Sequence, residues 1–163
     1  MSAEFIEGWC DGACLGNPGP GGWGVLVIDG DGVRHSFSGY EAETTNNRME
    51  MEAVIRALDA AGDLPGSGAG LRLYSDSEYV CRGYGEWLEG WKARGWRTAG
   101  KKAVKNRDLW ERLEAAADGF RGGGDGDGGG RGFELVWVRG HSGDPGNEYV
   151  DGLAYRAITE KNN

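Results

Sequence analysis

Short apolar segments separated by turn residues make up the first forty positions of the chain. Residues 5–11, 22–28 and 33–40 have the length and the β-branched or aromatic content of strands. The first two are joined by the loop GACLGNPGPG, and the last two by the turn sequence DGDG. Three short strands with such close links predict an antiparallel meander.

The hydrophobic period lengthens at Asn46, from the two residues of a strand to the roughly 3.6 residues of a helix. We predict an amphipathic helix from this point, capped by Thr44, Thr45 or Asn46 itself. Its apolar side carries Met51, Val54, Ile55, Leu58 and Ala61. Its polar side carries Glu52, Arg56, Asp59 and Asp63.

The rest of the chain alternates strand and helix patterns. Strands are predicted over residues 71–76 and 134–138, and helices over residues 77–88, 106–117 and 147–161. Strands that alternate with helices are joined by crossover connections and pair in parallel. The sequence therefore predicts an α/β fold with a mixed sheet, in which the antiparallel meander is extended by parallel strands.

A glycine-rich segment interrupts this pattern between residues 119 and 132, where nine of 14 positions are glycine. Ordering so many glycines costs much backbone entropy, which predicts a flexible connection. The string DGDGGG resembles the start of a calcium loop. A calcium loop also needs oxygen ligands at its fifth and twelfth positions, and Gly129 and Val136 occupy them here.

Length and charge set limits on the kind of protein. The 163 residues fit one domain spanning 1–163, and the net charge of −8 argues against a protein that binds any polyanion without selection. The sequence has an odd number of cysteines, at Cys10, Cys14 and Cys81, and shows no secretory signal. Both features favour a reduced, cytoplasmic setting. The cysteines lack the partners of a zinc site and are predicted to be structural thiols. No apolar run approaches the roughly 20 residues that span a bilayer, and we expect a monomer.

Two acids stand on helical faces that are otherwise apolar. Glu50 shares the face of the first helix with Val54, Ala57 and Leu58. Asp151 shares a face of the last helix with Ala154, Tyr155 and Ile158. Burying a lone carboxylate costs several kcal/mol or forces it to stay protonated. Taken alone, Glu50 is more simply interpreted as an acid near the N-terminus of a helix, where the helix dipole stabilises it by at most about 1 kcal/mol.

Two further acids, Asp11 and Asp76, each close a predicted strand. Either one alone is more often an ordinary turn residue. Reactive crevices of open α/β sheets, however, lie beyond the carboxyl ends of strands. All four acids are therefore predicted to converge on one rim of the sheet.

Four carboxylates in one place need a counter-charge, and no lysine or arginine is close to all of them in sequence. Oxygen ligands without histidine or cysteine favour Mg²⁺, with Mn²⁺ as the alternative. Two such ions about 4 Å apart suit phosphoryl transfer. Nearby in sequence, His141 lies in a glycine-rich loop. A proton carrier near the metals and a surface histidine are equally compatible with its position.

Positive charge is concentrated in residues 87–107, which we call the basic arm. It holds seven Lys/Arg and one acid, 7 − 1 = +6, so the remainder carries 11 − 25 = −14. Trp87, Trp91 and Trp96 lie among these cations. A solvated basic face with a core stripe of tryptophans is the simpler interpretation. The coincidence of charge and aromatics favours nucleic-acid binding, with Lys101, Lys102 and Lys105 as phosphate contacts.

Five segments between Asp11 and Ala154 form a recognisable set, namely DGACLGNPGPGGWG, TTNNRMEMEA, YSDSEYV, WLEGWKARGWRTAGKKAVKN and GHSGDPGNEYVDGLA. Together they closely resemble type 1 ribonuclease H. The resemblance implies a five-stranded mixed sheet with flanking helices. It also implies endonucleolytic cleavage of the RNA strand of RNA:DNA hybrids, which leaves 5′-phosphate and 3′-hydroxyl ends.

The resemblance also implies roles for individual residues. The metal-binding carboxylates would be Asp11, Glu50, Asp76 and Asp151, with His141 as the catalytic histidine. The RNA-strand groove would be lined by Asn17, Asn46, Asn47 and Glu78. Thr45 and Asn106 would hold a DNA phosphate, and Trp87 and Trp91 would flank the DNA channel. Glu78 departs from the family, where an uncharged residue is more usual. A hybrid-binding module without catalysis and a nuclease for branched DNA are the rival functions.

Overall fold

The computed structural model describes residues 4–122, 130–140 and 143–161. Its strands are β1 (Ile6–Cys14), β2 (Gly19–Ile28), β3 (Arg34–Thr44), β4 (Gly70–Ser75) and β5 (Gly132–Trp137). They form one sheet in the order β3-β2-β1-β4-β5. β2 pairs antiparallel with both β1 and β3, whereas β4 pairs parallel with both β1 and β5. The predicted α/β fold with a mixed five-stranded sheet is confirmed.

In the described part of the chain, five α-helices and one π-helical turn accompany the sheet. They are α1 (Asn46–Ala61), α2 (Glu78–Arg82), the π-helical turn (Gly83–Trp87), α3 (Leu88–Ala93), α4 (Arg107–Gly122) and α5 (Pro145–Lys161). Thr45, one of the three predicted caps, is the N-cap of α1, and its hydroxyl accepts from the Arg48 N–H at 3.3 Å. Within the described part of the chain, no helix has the length and apolarity that crossing a membrane requires.

The helices cover the sheet from two sides. α1 and α4 bury the main core, in which Val25, Val54, Leu73 and Trp110 are fully enclosed. α5 packs on the other face of β1 and β2, where Ala13, Ala154 and Ile158 form a smaller cluster. Gly24 in β2 permits this contact, because a Cβ there would lie 2.7 Å from both the Val150 carbonyl oxygen and Leu153 Cβ. The close approach brings α5 to the middle of the sheet.

The meander strands are longer than the sequence predicts. β1 continues to Cys14 and β2 begins at Gly19, so much of the predicted connecting loop belongs to the sheet. Glycine and proline disfavour strands in isolation. Here the antiparallel register holds them, and Cys14 is still paired with Gly21. Tertiary pairing overrides the local preference.

The predicted flexible connection is ordered at both ends. α4 runs to Gly122, five residues beyond the predicted end at Ala117, because Phe120 is buried in the core. On the far side, the Arg131 guanidinium donates to the Phe120 carbonyl oxygen at 2.7 Å, and Gly132 already belongs to β5. Residues 123–129 lie outside the described residues, and their flexibility stays a prediction.

Glu52 belongs to the polar side of α1 and is nevertheless only 5% exposed. α4 packs over this side and supplies Arg112, whose two terminal nitrogens donate to the Glu52 carboxylate at 3.1 and 2.9 Å. Arg56, one turn further along α1, donates at 3.0 Å. The apparent solvent face of α1 is therefore partly an interface between two helices.

Candidate active site

Three of the four predicted acids meet at one end of the central strands. Asp11 lies in β1, Glu50 in the first turns of α1, and Asp76 directly follows β4. One carboxylate oxygen from each lies within 4.8 Å of the other two. The sequence separations are 39 and 26 residues, so folding alone creates this cluster.

The sequence predicts that Asp11 ends its strand, but Asp11 lies inside β1, which continues to Cys14. Parallel pairing between β1 and β4 ends at Cys10 and Ser75, whereas antiparallel pairing with β2 continues to Cys14. Asp11 is thus the first residue of β1 beyond the parallel pairing, and Asp76 is the first residue beyond β4. This offset places the two carboxylates side by side at the carboxyl edge of the parallel strands.

Glu50 reaches the cluster because Gly12 leaves room for α1. A Cβ on Gly12 would lie 2.4 Å from the Glu50 backbone nitrogen and from the Met49 carbonyl carbon, which is sterically impossible. The Gly12 N–H donates to Glu50 Oε1 at 2.7 Å and to Asp11 Oδ1 at 2.9 Å. One glycine therefore both admits the helix and holds the two carboxylates together.

Asp151 lies on α5 and borders the same pocket, although it is not one of the three acids within 4.8 Å. The pocket, which we call the acidic pocket, has a volume of about 200 Å³. It is lined by Asp11, Gly12, Ala13, Cys14, Asn46, Glu50, Asp76, Asp151 and Tyr155. The sequence pattern places Tyr155 on the apolar face of its helix, but its side chain is 49% exposed and lines this pocket.

The buried acids are difficult to ionise in the absence of a cation. Burial, with a contribution from the charge of Asp76, raises the pKa of Asp11 from 3.8 to about 8. Burial and the charges of Asp11 and Asp76 raise the pKa of Glu50 well above its ordinary value. The acidic pocket has no lysine, arginine or histidine among its described lining residues. The carboxylates therefore lack a protein counter-charge.

This donor set fits a hard divalent cation. The ligand atoms are carboxylate oxygens, which Mg²⁺ and Mn²⁺ prefer. A bound cation would offset the repulsion that raises the pKa values of Asp11 and Glu50. The three cysteines are free thiols, and no cysteine or histidine joins a cluster of three metal-ligating side chains among the residues with described positions.

Two of the predicted RNA-contacting asparagines lie at the entrance of the acidic pocket. Asn46 lines it, and its backbone N–H donates to Asn17 Oδ1 at 2.9 Å. Asn17 is exposed in the loop between β1 and β2. Asn47 is exposed one residue further along α1, and Glu78 is exposed at the start of α2. Neither Asn47 nor Glu78 lines the acidic pocket.

A second pocket, which we call the arm pocket, lies between the basic arm and the starts of α1 and α2, with a volume of about 260 Å³. Its lining residues are Asn47, Tyr79, Trp91, Thr98, Lys102, Ala103, Val104, Lys105 and Asn106. Five predicted substrate contacts are thus together, namely Asn47, Trp91, Lys102, Lys105 and Asn106. Thr45 and Lys101 do not line it.

The first part of the basic arm is helical, since Trp87 ends the π-helical turn and residues 88–93 form α3. The arm then turns back, with a bridge between Arg97 and Ala103 and a bond from the Val104 N–H to the Trp96 carbonyl oxygen at 3.2 Å. Lys101 has a left-handed backbone, with a φ of 67°, and is exposed. The segment presents its lysines from a defined loop.

The two tryptophans predicted to flank DNA belong to an aromatic cluster. The ring centroids of Trp87 and Trp91 are 5.8 Å apart, and Trp91 packs edge-on against the buried Trp110 at 5.3 Å. Trp91 is partly buried against the core and also lines the arm pocket. Both sequence interpretations of Trp91, core stripe and channel wall, are therefore compatible with its position.

Sequence reasoning missed Arg48 and Tyr79, which hold the arm pocket together. Arg48 Nη1 donates to Asn106 Oδ1 at 3.3 Å, and Asn106 Nδ2 donates to the Tyr79 hydroxyl at 3.2 Å. These contacts join positions 58 and 27 residues apart. No local signal points to them, because both residues lie within segments already explained by helix formation. His141 lies outside the described residues, and its role stays a prediction.

Comparison with known proteins decides the family. The family model described as RNase H matches residues 4–159. The chain belongs to the ribonuclease H family. A ribonuclease H from Verminephrobacter eiseniae is 51% identical over 155 residues, which cover 95% of this chain and 91% of that protein. A ribonuclease H from Polaromonas sp. (strain JS666) is 53% identical over 150 residues, which cover 92% and 86%.

Solved structures of the family agree with the fold. LC9-RNase H1, described as a type 1 RNase H with the type 2 active-site motif, superposes with a TM-score of 0.77 at 34% identity, and the match covers 98% of this chain and 74% of that one. LC11-RNase H1, solved in complex with an RNA/DNA hybrid, gives a TM-score of 0.66 at 27% identity, covering 97% and 99%. The predicted resemblance to type 1 ribonuclease H is confirmed. The family uses divalent metal ions.

Proposed function

We propose that the chain is an endonuclease that hydrolyses the RNA strand of RNA:DNA hybrids, using Mg²⁺ held by Asp11, Glu50, Asp76 and Asp151. The observation that carries this proposal is the acidic pocket itself. In this pocket, three carboxylate oxygens lie within 4.8 Å of one another, and the described lining contains no basic residue. The chain that carries them belongs to the ribonuclease H family. A solved family member, LC11-RNase H1, binds an RNA/DNA hybrid.

The metal ligands and His141 would have separate tasks. When bound, two divalent cations supply an activated water nucleophile and neutralise the charge on the leaving oxygen. Asp11 and Glu50 keep a fixed geometry, since the Gly12 N–H contacts both carboxylates. His141 carries a proton to or from the reacting groups. Cleavage leaves 5′-phosphate and 3′-hydroxyl ends.

The two strands of the hybrid are bound by different groups of residues. Asn17, Asn46 and Asn47 contact 2′-hydroxyls of the RNA strand, because amides both donate and accept hydrogen bonds. Glu78 would line the same groove, where a carboxylate beside the RNA backbone either weakens affinity or alters the preferred cleavage site. Thr45 and Asn106 hold a phosphate of the DNA strand, and Lys101, Lys102 and Lys105 attract its backbone. Trp87 and Trp91 flank the DNA channel. Mn²⁺ is the alternative cofactor, and a monomer in the cytoplasm is the expected working state.

Replacing Asp11 by asparagine tests the catalytic assignment. Asp11→Asn removes one ligand charge and keeps the side-chain volume, so we expect cleavage of a labelled hybrid to fall at least about 10³-fold with the fold intact. Asp31→Asn, in the exposed turn before β3, makes the same charge change outside both pockets and should cleave normally. Substantial turnover by Asp11→Asn, or by the unaltered chain in excess chelator, would contradict the proposal.

Substrate choice is tested by a parallel assay with and without Mg²⁺. The substrates are RNA:DNA, RNA:RNA, DNA:DNA, single-stranded RNA and a four-way DNA junction. We expect turnover only with the RNA:DNA hybrid and only with the metal. Cleavage of the junction in preference to the hybrid would assign the chain to branched DNA instead, and tight hybrid binding without turnover would leave only a binding module.

A further inference from the structure

The hydroxyl of Tyr79 borders the arm pocket with both of its acceptor positions in use. Its oxygen accepts from Asn106 Nδ2 at 3.2 Å and from Trp110 Nε1 at 3.4 Å. A phenolic hydroxyl accepts up to two hydrogen bonds and donates one. Because two N–H groups already point at the oxygen, the O–H can act only as a donor to a third group. Within the described part of the chain it donates to no acceptor.

The side chain of Asn106 is fixed in the same way. Its Oδ1 faces Arg48, which can only donate, so its NH₂ group must face Tyr79. One amide hydrogen is used by the Tyr79 oxygen, and the other has no acceptor among the described residues. The backbone carbonyl of Asn106 accepts the first intrahelical bonds of α4, from the Leu109 and Trp110 N–H groups. Among the described residues, Asn106 Oδ1 accepts only from Arg48, so the side chain does not cap the first turn of α4.

The electrostatic environment of these two donors favours an anion. Lys102 and Lys105 line the arm pocket, which has no acid in its described lining. Asp108 lies in the first turn of α4, two residues after Asn106, but Arg48 donates to both of its carboxylate oxygens, at 3.0 and 2.7 Å. The paired guanidinium offsets a charge that would otherwise repel a phosphate.

We propose that Tyr79 is a further substrate-binding residue whose hydroxyl donates a hydrogen bond directly to a phosphate of the DNA strand, beside the amide of Asn106. This inference rests on the proposed function. Tyr79 is three residues from Asp76, and its oxygen is anchored by Trp110, which is fully buried. The phosphate contact and the acidic pocket therefore share one rigid segment, so DNA-strand binding places the RNA strand at the carboxylates.

Tyr79→Phe removes only the hydroxyl and tests the contact. Hybrid affinity is measured in the Asp11→Asn background, so that binding is separated from cleavage. We expect Kd to rise about 10-fold, as for loss of a hydrogen bond to a charged group. The slope of log Kd against log salt should stay unchanged, because tyrosine carries no charge. Tyr84→Phe makes the same deletion against Phe133, away from both pockets, and should leave Kd unchanged.

A hybrid with one neutral methylphosphonate in its DNA strand distinguishes a direct contact from loosened packing around Trp110. At the contacted position, methylphosphonate should weaken binding to the Tyr79 protein, and Tyr79→Phe should then cause less than a two-fold further loss. A 10-fold effect of Tyr79→Phe at every methylphosphonate position, or no effect on the unmodified hybrid, would overturn the inference. Cleavage by the unaltered chain tests the proposed function separately.

Discussion

At the scale of single residues, the acidic pocket lowers the stability of the fold, because it buries carboxylates without a protein counter-charge. Asp11 and Glu50 are 3% and 6% exposed, and neither has a lysine or arginine partner in the described acidic pocket. The sequence predicts this conflict, because Glu50 interrupts an apolar helical stripe. Arg48 and Tyr79 could not be predicted in the same way, since their contacts to Asn106 depend on long-range packing that no local pattern records.

The raised pKa of Asp11 predicts a pH-dependent stability without metal. Its folded-state pKa, about 8, exceeds its ordinary value of 3.8, so the folded protein binds the additional proton between these pH values. In chelator, the free energy of unfolding should therefore fall as pH rises from about 4 to about 8, by up to about 1.4 kcal/mol per pH unit from this one carboxyl. Urea unfolding at pH 5 to 8 measures this slope.

Asp11→Asn provides the comparison for that measurement. An amide does not titrate, so the variant should be more stable than the unaltered chain at pH 8 in chelator, and its pH slope should be smaller. Asp31→Asn should retain the full slope. The explanation would be wrong if stability in chelator rose with pH, or if the asparagine variant lost stability at pH 8.

At the scale of elements, α1 serves both pockets and also contacts α4. Glu50 projects into the acidic pocket and Asn47 into the arm pocket, whereas Glu52 binds Arg112 of α4. Periodicity predicts α1 well, because its apolar stripe is long and regular. It cannot reveal that Glu52 is buried, since that depends on where α4 lies. Likewise, the length of β1 depends on pairing with β2 rather than on its own composition.

The pairing of Glu52 predicts a second pH dependence, of opposite sign. Burial opposes ionisation of Glu52, but hydrogen bonds from Arg112 and Arg56 lower its pKa below the ordinary 4.5. Such a carboxylate stabilises the fold above about pH 4.5, and this contribution is lost as pH falls through the lower folded-state value. Glu52→Gln should therefore cost about 1–3 kcal/mol at pH 7, and the difference from the unaltered chain should shrink toward pH 3.

Thermal and urea unfolding at pH 7 and pH 3 test this helix contact. Glu111→Gln is the matched control, because Glu111 pairs with Arg107 on the exposed surface of α4 and both side chains are about half exposed. Loss of this exposed ion pair should lower the free energy of unfolding by at most about 0.5 kcal/mol. Hybrid cleavage by Glu52→Gln should stay normal below its melting temperature. An equal cost for both variants at pH 7 would mean that burial of Glu52 adds nothing.

At the scale of the whole molecule, opposite charges occupy different regions. The basic arm carries +6 and the remainder −14, yet not all arm cations are available. Lys92 pairs with Glu114, and Arg107 with Glu111. Lys102 and Lys105 line the arm pocket instead, without an ion pair to any described residue. Composition predicts the charge of the arm, but only folding determines which cations a phosphate can reach.

The distribution of cations predicts how hybrid binding responds to salt. Each phosphate neutralised by a lysine adds about one to the slope of log Kd against log salt concentration. In the Asp11→Asn background, Lys102→Ala and Lys105→Ala should each reduce that slope by about one. Lys101→Ala should have a smaller effect, because Lys101 does not line the arm pocket. Fluorescence binding titrations between 50 and 200 mM salt measure these slopes.

Lys161→Ala is the matched control. It makes the same charge change at the end of α5, outside the arm pocket, and should leave the slope unchanged. A slope reduced equally by Lys161→Ala would show that general charge, rather than the arm, attracts the hybrid.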